Sequence, residues 1–407
     1  MSEGETPPLG TWQSYRDWLD RANRSQAWST VANWAIDVLE EELGTSWPRT
    51  AAEVEMNEQR GLPLVSGLKA LGWHAVGLVE TLEWAIRLRL VRDLDGAADL
   101  RNDLIGNVMT GRILHTDLQL QIAGLALRRG WKVQLEPMKL GCERPADLLL
   151  TTPNAGLLVE ARVVSEAVAD RDHREWTDQA IARVMNIAAA NRTWLEGDLG
   201  DALDERTVAE LERRIPIEAP SALLGHEPEL RIGATRLRLV RQDDAKGQLT
   251  VPGASSDLWP RMTSAIAKKA EQMAASGADW LRLIPYNNFF LLTRWAQLPL
   301  AEKLEMLEAQ LRSSLAGRLP AGVAISSGAG LQPGPISPET IRHGTAVAMR
   351  RQITPLRARE THIIPIADTS PEAADAWREL ADAEANWLPW ALARFELPDL
   401  SEILASP

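Results

Sequence analysis

The stretch from residue 112 to residue 164 reads RILHTDLQLQIAGLALRRGWKVQLEPMKLGCERPADLLLTTPNAGLLVEARVV. Apolar residues recur at helical spacing as far as Gly130, a residue type that often ends a helix. The alternation over 131–136 predicts a strand, and the apolar runs 148–150 and 157–164 predict two more. The order is therefore helix, strand, strand, strand, and we expect the rest of the chain to extend or cover this unit.

Charged residues interrupt this apolar unit at two places. Asp147 follows Pro145 at the start of the second predicted strand, and Glu160 lies inside the third. The two-residue period of a strand places Arg162 on the same face as Glu160. A carboxylate and a guanidinium in an apolar strand cost free energy unless they are partnered. The pair Asp147 and Glu160 therefore has the pattern of a metal site, since carboxylates are typical ligands of divalent cations.

These residues resemble the core of the PD-(D/E)XK nuclease superfamily, with a spacing similar to that of the archaeal Holliday-junction resolvases. Those enzymes place an acidic residue on a first helix, an Asp after a Pro at the second strand, and Glu-x-Lys on the third. Here Pro145-Ala146-Asp147 corresponds to the Pro-Asp, with one residue inserted, and Glu160-Ala161-Arg162 corresponds to Glu-x-Lys. Gln119 falls at the position of the helical acidic residue. The resemblance covers residues 112–164 directly, and a helix-then-strand continuation extends it.

The resemblance implies a restriction-endonuclease-like core, an α/β (α+β) fold with a mixed sheet, and a nuclease that hydrolyses phosphodiester bonds in DNA or RNA. Asp147 and Glu160 would hold Mg²⁺ or Mn²⁺, and Gln119 would complete the metal shell or orient a water. Arg162 replaces the lysine of the family and is always protonated, so it would engage the phosphate. Because a metal lowers the pKa of bound water by itself, loss of the lysine need not abolish hydrolysis.

Each candidate residue also has a structural interpretation. Gln119 lies three positions after Thr116, which fits a capping box at a helix start equally well. Glu160 and Arg162 also fit an ordinary ion pair with Asp147. The alternative function is therefore a catalytically inactive protein of the nuclease fold that binds nucleic acid or protein as a scaffold.

The chain is long enough for two domains or one elaborated domain. The patterns predict a helical N-terminal domain (1–110), a first core segment (111–165), an insertion of helix and strand (166–255), a second core segment (256–366) and a C-terminal helical segment (367–407). Seven of the sixteen Trp lie in the first hundred residues, and their helical spacing predicts packing between helices. A further hypothesis is that this helical domain binds a protein partner.

Charge and composition argue against several classes of protein. The net charge of −12 argues against a generally basic protein that coats nucleic acid. The single cysteine, Cys142, has no partner for an internal disulfide, which fits a reducing cytoplasm. No apolar run is long enough to span a membrane, and the polar, acidic N-terminus is unlike a signal peptide. We therefore expect a cytoplasmic protein with no membrane partner.

Two further groups of residues are candidates for binding. Five arginines would either bind the phosphate backbone of a nucleic acid or, equally, pair with acidic side chains of the insertion: Arg342, Arg350, Arg351, Arg357 and Arg359. On the helix after the insertion, Lys269 and Gln272 lie where members of the superfamily often carry a Lys or a Gln. We favour a solvated face for these two residues and for Lys268.

Overall fold

The computed structural model describes residues 10–58, 63–72, 75–108, 110–164, 183–199, 203–245, 249–250, 258–285, 322–326, 361–365, 370–384 and 386–404, with isolated helical positions at 176, 180–181, 305, 308–309 and 311–313. These residues belong to two compact units. The first unit takes in those within Met1–Val164, Trp259–Ala329 and Ile353–Pro407. The second takes in the described residues within Ser165–Leu258, a region that includes the insertion expected at 166–255.

Helices make up much of the described chain. Their bounds are α1 (Trp12–Ala22), α2 (Gln26–Leu43), α3 (Trp47–Glu58), α4 (Pro63–Ala70), α5 (Ala75–Val91), α6 (Ala97–Gly106), α7 (Thr110–Arg128), α8 (Glu205–Leu223), α9 (Leu258–Ser276), α10 (Pro371–Glu384), α11 (Trp387–Arg394) and α12 (Leu400–Leu404). Among these helices, none combines the length and the apolar character that a bilayer crossing requires. Helix α7 ends just before Gly130, whose φ of 74° is left-handed, as the sequence predicted.

The N-terminal helices α1 to α6 pack through tryptophans, as their spacing predicted. Trp28 is buried and donates from Nε1 to the carbonyl of Leu71 at 3.0 Å. Trp47 is buried and donates to the carbonyl of Leu104 at 3.2 Å. Each indole thus fills an apolar gap while its polar N–H ties one helix to the end of another. These helices belong to the same unit as the larger sheet.

The strands form two sheets. Their bounds are β1 (Lys132–Leu135), β2 (Leu148–Thr151), β3 (Gly156–Val164), β4 (Thr193–Asp198), β5 (Glu229–Ile232), β6 (Thr235–Arg241), β7 (Leu249–Thr250), β8 (Trp280–Pro285), β9 (Gly322–Ser326) and β10 (Thr361–Pro365). The first unit holds a six-stranded sheet in the order β1-β2-β3-β8-β9-β10. Strands β1 to β3 pair antiparallel, β3, β8 and β9 pair parallel, and β10 returns antiparallel to β9. The expected mixed sheet within an α/β protein is therefore confirmed.

The second unit has its own sheet and its own core. Strand β6 pairs antiparallel with both β5 and β4, and β4 pairs parallel with β7. Apolar side chains from the sheet and from α8 form a single buried cluster that includes Trp194, Leu211, Ile215, Leu230 and Leu239. A second core of this kind allows the 165–258 segment to fold around its own contacts.

The close approach of Gly96 to the first strand generates a testable prediction. Gly96 has φ +85, and a Cβ added there would lie 2.2 Å from the carbonyl oxygen of Leu135. Gly141 has a similar φ of +82 but nothing within 4 Å of an added Cβ. We expect Gly141→Ala to cost about 1–2 kcal/mol, the cost of a left-handed alanine. Gly96→Ala should cost more, because the clash adds to the same backbone strain.

Urea titration of both variants and of the unsubstituted chain measures the difference. Gly141→Ala is the matched control, since it shares the backbone conformation and lacks the contact. Equal losses of unfolding free energy in the two variants would show that the close approach of residue 96 to the end of β1 adds no cost for a side chain at this position.

Candidate active site

Asp147 and Glu160 are brought together by the pairing of β2 with β3. Asp147 is the residue before β2, and its backbone N–H donates to the carbonyl of Val159 at 3.1 Å. The N–H of Ala161 donates to Oδ2 of Asp147 at 2.6 Å. Glu160, between these two residues of β3, is fully buried, and Asp147 is 6% exposed. The antiparallel pairing therefore places two carboxylates side by side inside the first unit.

The third member of the site is Lys269 from helix α9. Its Nζ lies 2.5 Å from Oε2 of Glu160 and 3.2 Å from Oδ2 of Asp147. The side chain is buried, with a residue exposure of 4%. One ammonium thus bridges two carboxylates that come from neighbouring strands, and the three groups form a buried Asp–Glu–Lys cluster.

The sequence prediction of a solvated face is wrong for Lys269 and confirmed for Lys268 and Gln272, which are both exposed. The buried positions of α9 include Ile266, Lys269, Ala270, Met273 and Ser276. These positions recur at the spacing of one helix face. The resemblance had named Lys269 as a candidate, and its spacing with Ile266 and Met273 was the signal in the sequence that it lies on the buried face.

Two partly exposed side chains, His115 and Arg144, border the buried cluster. His115, on α7, has its Nε2 3.3 Å from Oδ1 of Asp147, and 22% of its side chain is exposed. Arg144, in the loop between β1 and β2, has its Nη2 3.6 Å from Oε1 of Glu160, and 35% of its side chain is exposed. The sequence prediction did not include either residue. They form the solvent-facing side of the described site.

The two carboxylates differ in their proton affinity. Burial alone would raise the pKa of Asp147, but hydrogen bonding and charge from His115, the charge of Lys269 and the Ala161 N–H together hold that pKa well below its usual range. Burial, reinforced by the negative charge of Asp147, raises the pKa of Glu160, and Lys269 opposes this only in part. Asp147 therefore stays ionised, and Glu160 is the carboxylate that takes up a proton first as the pH falls.

The other residues predicted for the site do not join the cluster. Gln119 is buried, but no hydrogen bond among the described residues links it to Asp147 or Glu160. Thr116 lies in the middle of α7, which begins at Thr110, so the capping-box interpretation of Gln119 is wrong. Arg162 is exposed on β3.

The ion-pair interpretation of Arg162 is also wrong for the described site. The cation paired with both carboxylates is Lys269 from α9, and no hydrogen bond or ion pair of the described residues joins Arg162 to either acid. The arginines predicted to bind nucleic acid or acidic side chains lie outside the described residues: Arg342, Arg350, Arg351, Arg357 and Arg359.

Asp147 and Glu160 supply as many protein carboxylates as commonly hold Mg²⁺ in proteins. Mg²⁺ is commonly held by one or two carboxylates, with water and substrate phosphate completing its shell. Oε1 of Glu160 is buried and accepts no hydrogen bond within the described structure, and its ion-pair partner Arg144 lies 3.6 Å away, beyond hydrogen-bond distance. In the part of the chain that the structure describes, no group of three or more His, Cys, Asp or Glu side chains could hold a metal. A metal here would rely on Asp147 and Glu160 alone among the protein carboxylates.

Comparison of the chain with models of protein families, with curated proteins and with solved structures found no match. The chemistry of the site is therefore inferred from its own residues.

The bridging role of Lys269 generates a prediction about stability and pH. Lys269→Met leaves two buried carboxylates without their shared cation, and we expect a loss of about 3–5 kcal/mol at neutral pH. The variant should also raise the pKa of Glu160 further, so its folded state binds a proton that the unfolded chain lacks. Stability gained in this way is present at low pH and is lost as the pH rises through the folded pKa. The variant should therefore regain part of its stability in mildly acidic buffer.

Urea titrations in neutral and mildly acidic buffer measure this effect. Lys268→Met is the matched control, because Lys268 is exposed on the same helix and should tolerate the change at either pH. Adding Glu160→Gln to Lys269→Met removes one of the repelling charges and should recover stability at neutral pH. A deficit in Lys269→Met that is equal at both pH values would contradict the proposed proton uptake.

Proposed function

We propose that this protein is a divalent-metal-dependent nuclease that hydrolyses phosphodiester bonds. The single observation that carries the proposal is the meeting of Asp147, Glu160 and Lys269 at one point, with both carboxylates sharing one ammonium. An Asp, a Glu and a Lys are the residue types of the PD-(D/E)XK motif. The lysine that the sequence lacks at position 162 is thus supplied by helix α9.

The order of the elements around the site supports the same proposal. Helix α7 is followed by the three antiparallel strands β1, β2 and β3. Helix α9 and strand β8 come next in the first unit, and β8 pairs parallel with β3. A helix, three strands, a helix and a strand is the order that we expect of the proposed restriction-endonuclease-like core, and it supports the proposal for that reason.

The residues of the site suit the steps of metal-assisted hydrolysis. Asp147 and Glu160 would hold Mg²⁺ or Mn²⁺, which when bound lowers the pKa of a coordinated water and stabilises charge on the phosphate. Lys269 donates hydrogen bonds to both carboxylates and so orients them. A lysine, unlike an arginine, also exchanges a proton readily when its surroundings change. Burial of all three groups strengthens their electrostatic interaction with a phosphate.

The proposal predicts cleavage of nucleic acid that depends on this cluster. The unsubstituted chain should cut at least one substrate among linear duplex DNA, single-stranded DNA, RNA and a four-way DNA junction when Mg²⁺ or Mn²⁺ is added. Asp147→Asn and Glu160→Gln should reduce cleavage to background. Lys269→Ala should reduce it by about 100-fold or more, the scale of a lost proton-transferring group. Gel assays of labelled strands measure each rate.

Lys268→Ala is the control for these rates, since it removes an exposed lysine adjacent in sequence. It should cleave within a few-fold of the unsubstituted chain. Equal cleavage by Asp147→Asn and the unsubstituted chain would point to a contaminating nuclease and remove the proposal. So would the absence of cleavage across all four substrates with both metals.

A second candidate is a scaffold of the nuclease fold without catalysis. The observation that favours it is charge compensation within the protein, because Lys269 already occupies the space between the two buried carboxylates. A buried cluster satisfied in this way does not require a metal.

Calorimetric titration with Mn²⁺ distinguishes the enzyme from the scaffold. We expect the unsubstituted chain to bind about one Mn²⁺ with a measurable heat, and Asp147→Asn to bind none. Binding that needs both carboxylates follows from the small number of protein ligands that such a metal uses. An absence of heat in the unsubstituted chain would support the scaffold, which would then bind nucleic acid or protein without cleaving it.

A further inference from the structure

The loop between β1 and β2 is fixed to the helix that carries Lys269. Within the loop, the N–H of Ala146 donates to the carbonyl of Pro137 at 3.1 Å. The N–H of Glu143 donates to the carbonyl of Ala275, near the end of α9, at 3.0 Å. The Nζ of Lys139 donates to the carbonyl of Gly277 at 3.3 Å. These bonds tie the loop to α9, so its side chains have a set position relative to the buried cluster.

Arg144 connects the buried cluster to solvent. Its Nε donates to the carbonyl of Pro145 at 3.3 Å, and its Nη2 lies 3.6 Å from Oε1 of Glu160. Among the described residues, its Nη1 has no hydrogen-bond or ion-pair partner. The side chain is 35% exposed, whereas that of Glu160 is fully buried. Within the part of the chain that the structure describes, the guanidinium is therefore held on one side and has no further protein partner on the other.

The charges of the site favour an anion beside Arg144. With both carboxylates ionised, Asp147 and Glu160 balance Lys269 and Arg144. A divalent cation that binds to the carboxylates would leave an excess of positive charge in a region with little water. A phosphodiester offers the anionic oxygens that balance this excess, and its geometry matches the planar fork of a guanidinium.

We infer that Arg144 binds a backbone phosphate of a polynucleotide next to the bond that is cut. This inference rests on the proposed function, and it gives Arg144 the phosphate-binding role that the sequence assigned to Arg162. Arg162 is exposed on β3 without a contact to the cluster, whereas Arg144 is fixed beside Glu160. The substrate class is a strand with a continuous phosphate backbone, DNA or RNA.

The first experiment measures binding without cleavage. Fluorescence anisotropy of labelled single-stranded DNA, duplex DNA and RNA in EDTA gives the dissociation constant across a range of NaCl concentrations. The logarithm of the binding constant falls as the logarithm of the salt concentration rises. Loss of one phosphate contact makes this negative slope less steep, by about 0.7 for single strands and about 0.9 for duplex DNA. We expect Arg144→Gln to show this drop on the strand type that the protein binds best. Arg144→Lys should keep the slope and lose part of the affinity, because a point charge replaces a fork.

Two arginines serve as controls for the binding experiment. Arg112 is 56% exposed on α7 and pairs with Asp103 at 3.4 Å, and Arg162 is exposed on β3. Arg112→Gln and Arg162→Gln should leave the slope unchanged. A merely structural role for Arg144 would lower the melting temperature without changing the salt slope. An unchanged slope in Arg144→Gln, a drop in Arg162→Gln instead, or no binding by the unsubstituted chain would overturn the inference.

The second experiment uses cleavage and separates this inference from the proposed function. If Arg144 binds substrate and transition state alike, Arg144→Gln should raise KM with a smaller change in kcat. Normal cleavage with an unaltered KM in Arg144→Gln would overturn the role of Arg144 and leave the nuclease proposal intact. Absence of cleavage by the unsubstituted chain, together with a reduced salt slope in Arg144→Gln, would overturn the nuclease proposal and leave the phosphate contact.

Discussion

Two buried carboxylates share one buried ammonium in the first unit, and this contact joins β3, the residue before β2 and helix α9. Removal of a charged group from water costs several kcal/mol, and mutual attraction offsets that cost only when the geometry is good. Glu160 on β3, Asp147 before β2 and Lys269 on α9 meet this condition at hydrogen-bond distance. Well-packed apolar side chains of similar size often stabilise a fold equally well. Stability alone therefore does not account for three charged groups here, which is why we attribute chemistry to them.

The contact is assembled from parts of the chain that are far apart in sequence. Lys269 is 109 residues from Glu160 and 122 from Asp147. The segment 165–258, which has its own core, lies between β3 and α9 in the sequence. The pairing of β3 with β8 is parallel, and a parallel pair requires a crossover connection. The connection contains α9, so a long insertion before that helix still leaves Lys269 against the strand that carries Glu160.

Local patterns were sufficient to predict β1, β2 and β3 and the two acidic residues of the site. Helical spacing up to Gly130, strand alternation and the charges at Asp147 and Glu160 depend on neighbours in sequence, so the sequence contains them directly. Arg162 shows the limit of such patterns. The two-residue period of a strand places Arg162 on the same face as Glu160. The pairing of β2 with β3 ends, however, at Leu148 opposite Val159, and Asp147 is the residue just before Leu148. Lys269 required knowledge of which helix covers β3, and that depends on contacts distant in sequence.

The role of a cationic side chain in such a site depends on which element carries it to the acids, and not on its place in a sequence motif. A lysine two residues after Glu160 would have to reach back along its own strand, whereas Lys269 approaches from a covering helix and contacts both carboxylates. The exposed position at the edge of the site is then left to Arg144, which cannot give up its proton. A buried lysine with two acidic partners and a partly exposed arginine beside one of them suit different tasks. In the proposed nuclease, the first would orient the acids, and the second would present its positive charge to a phosphate of the substrate.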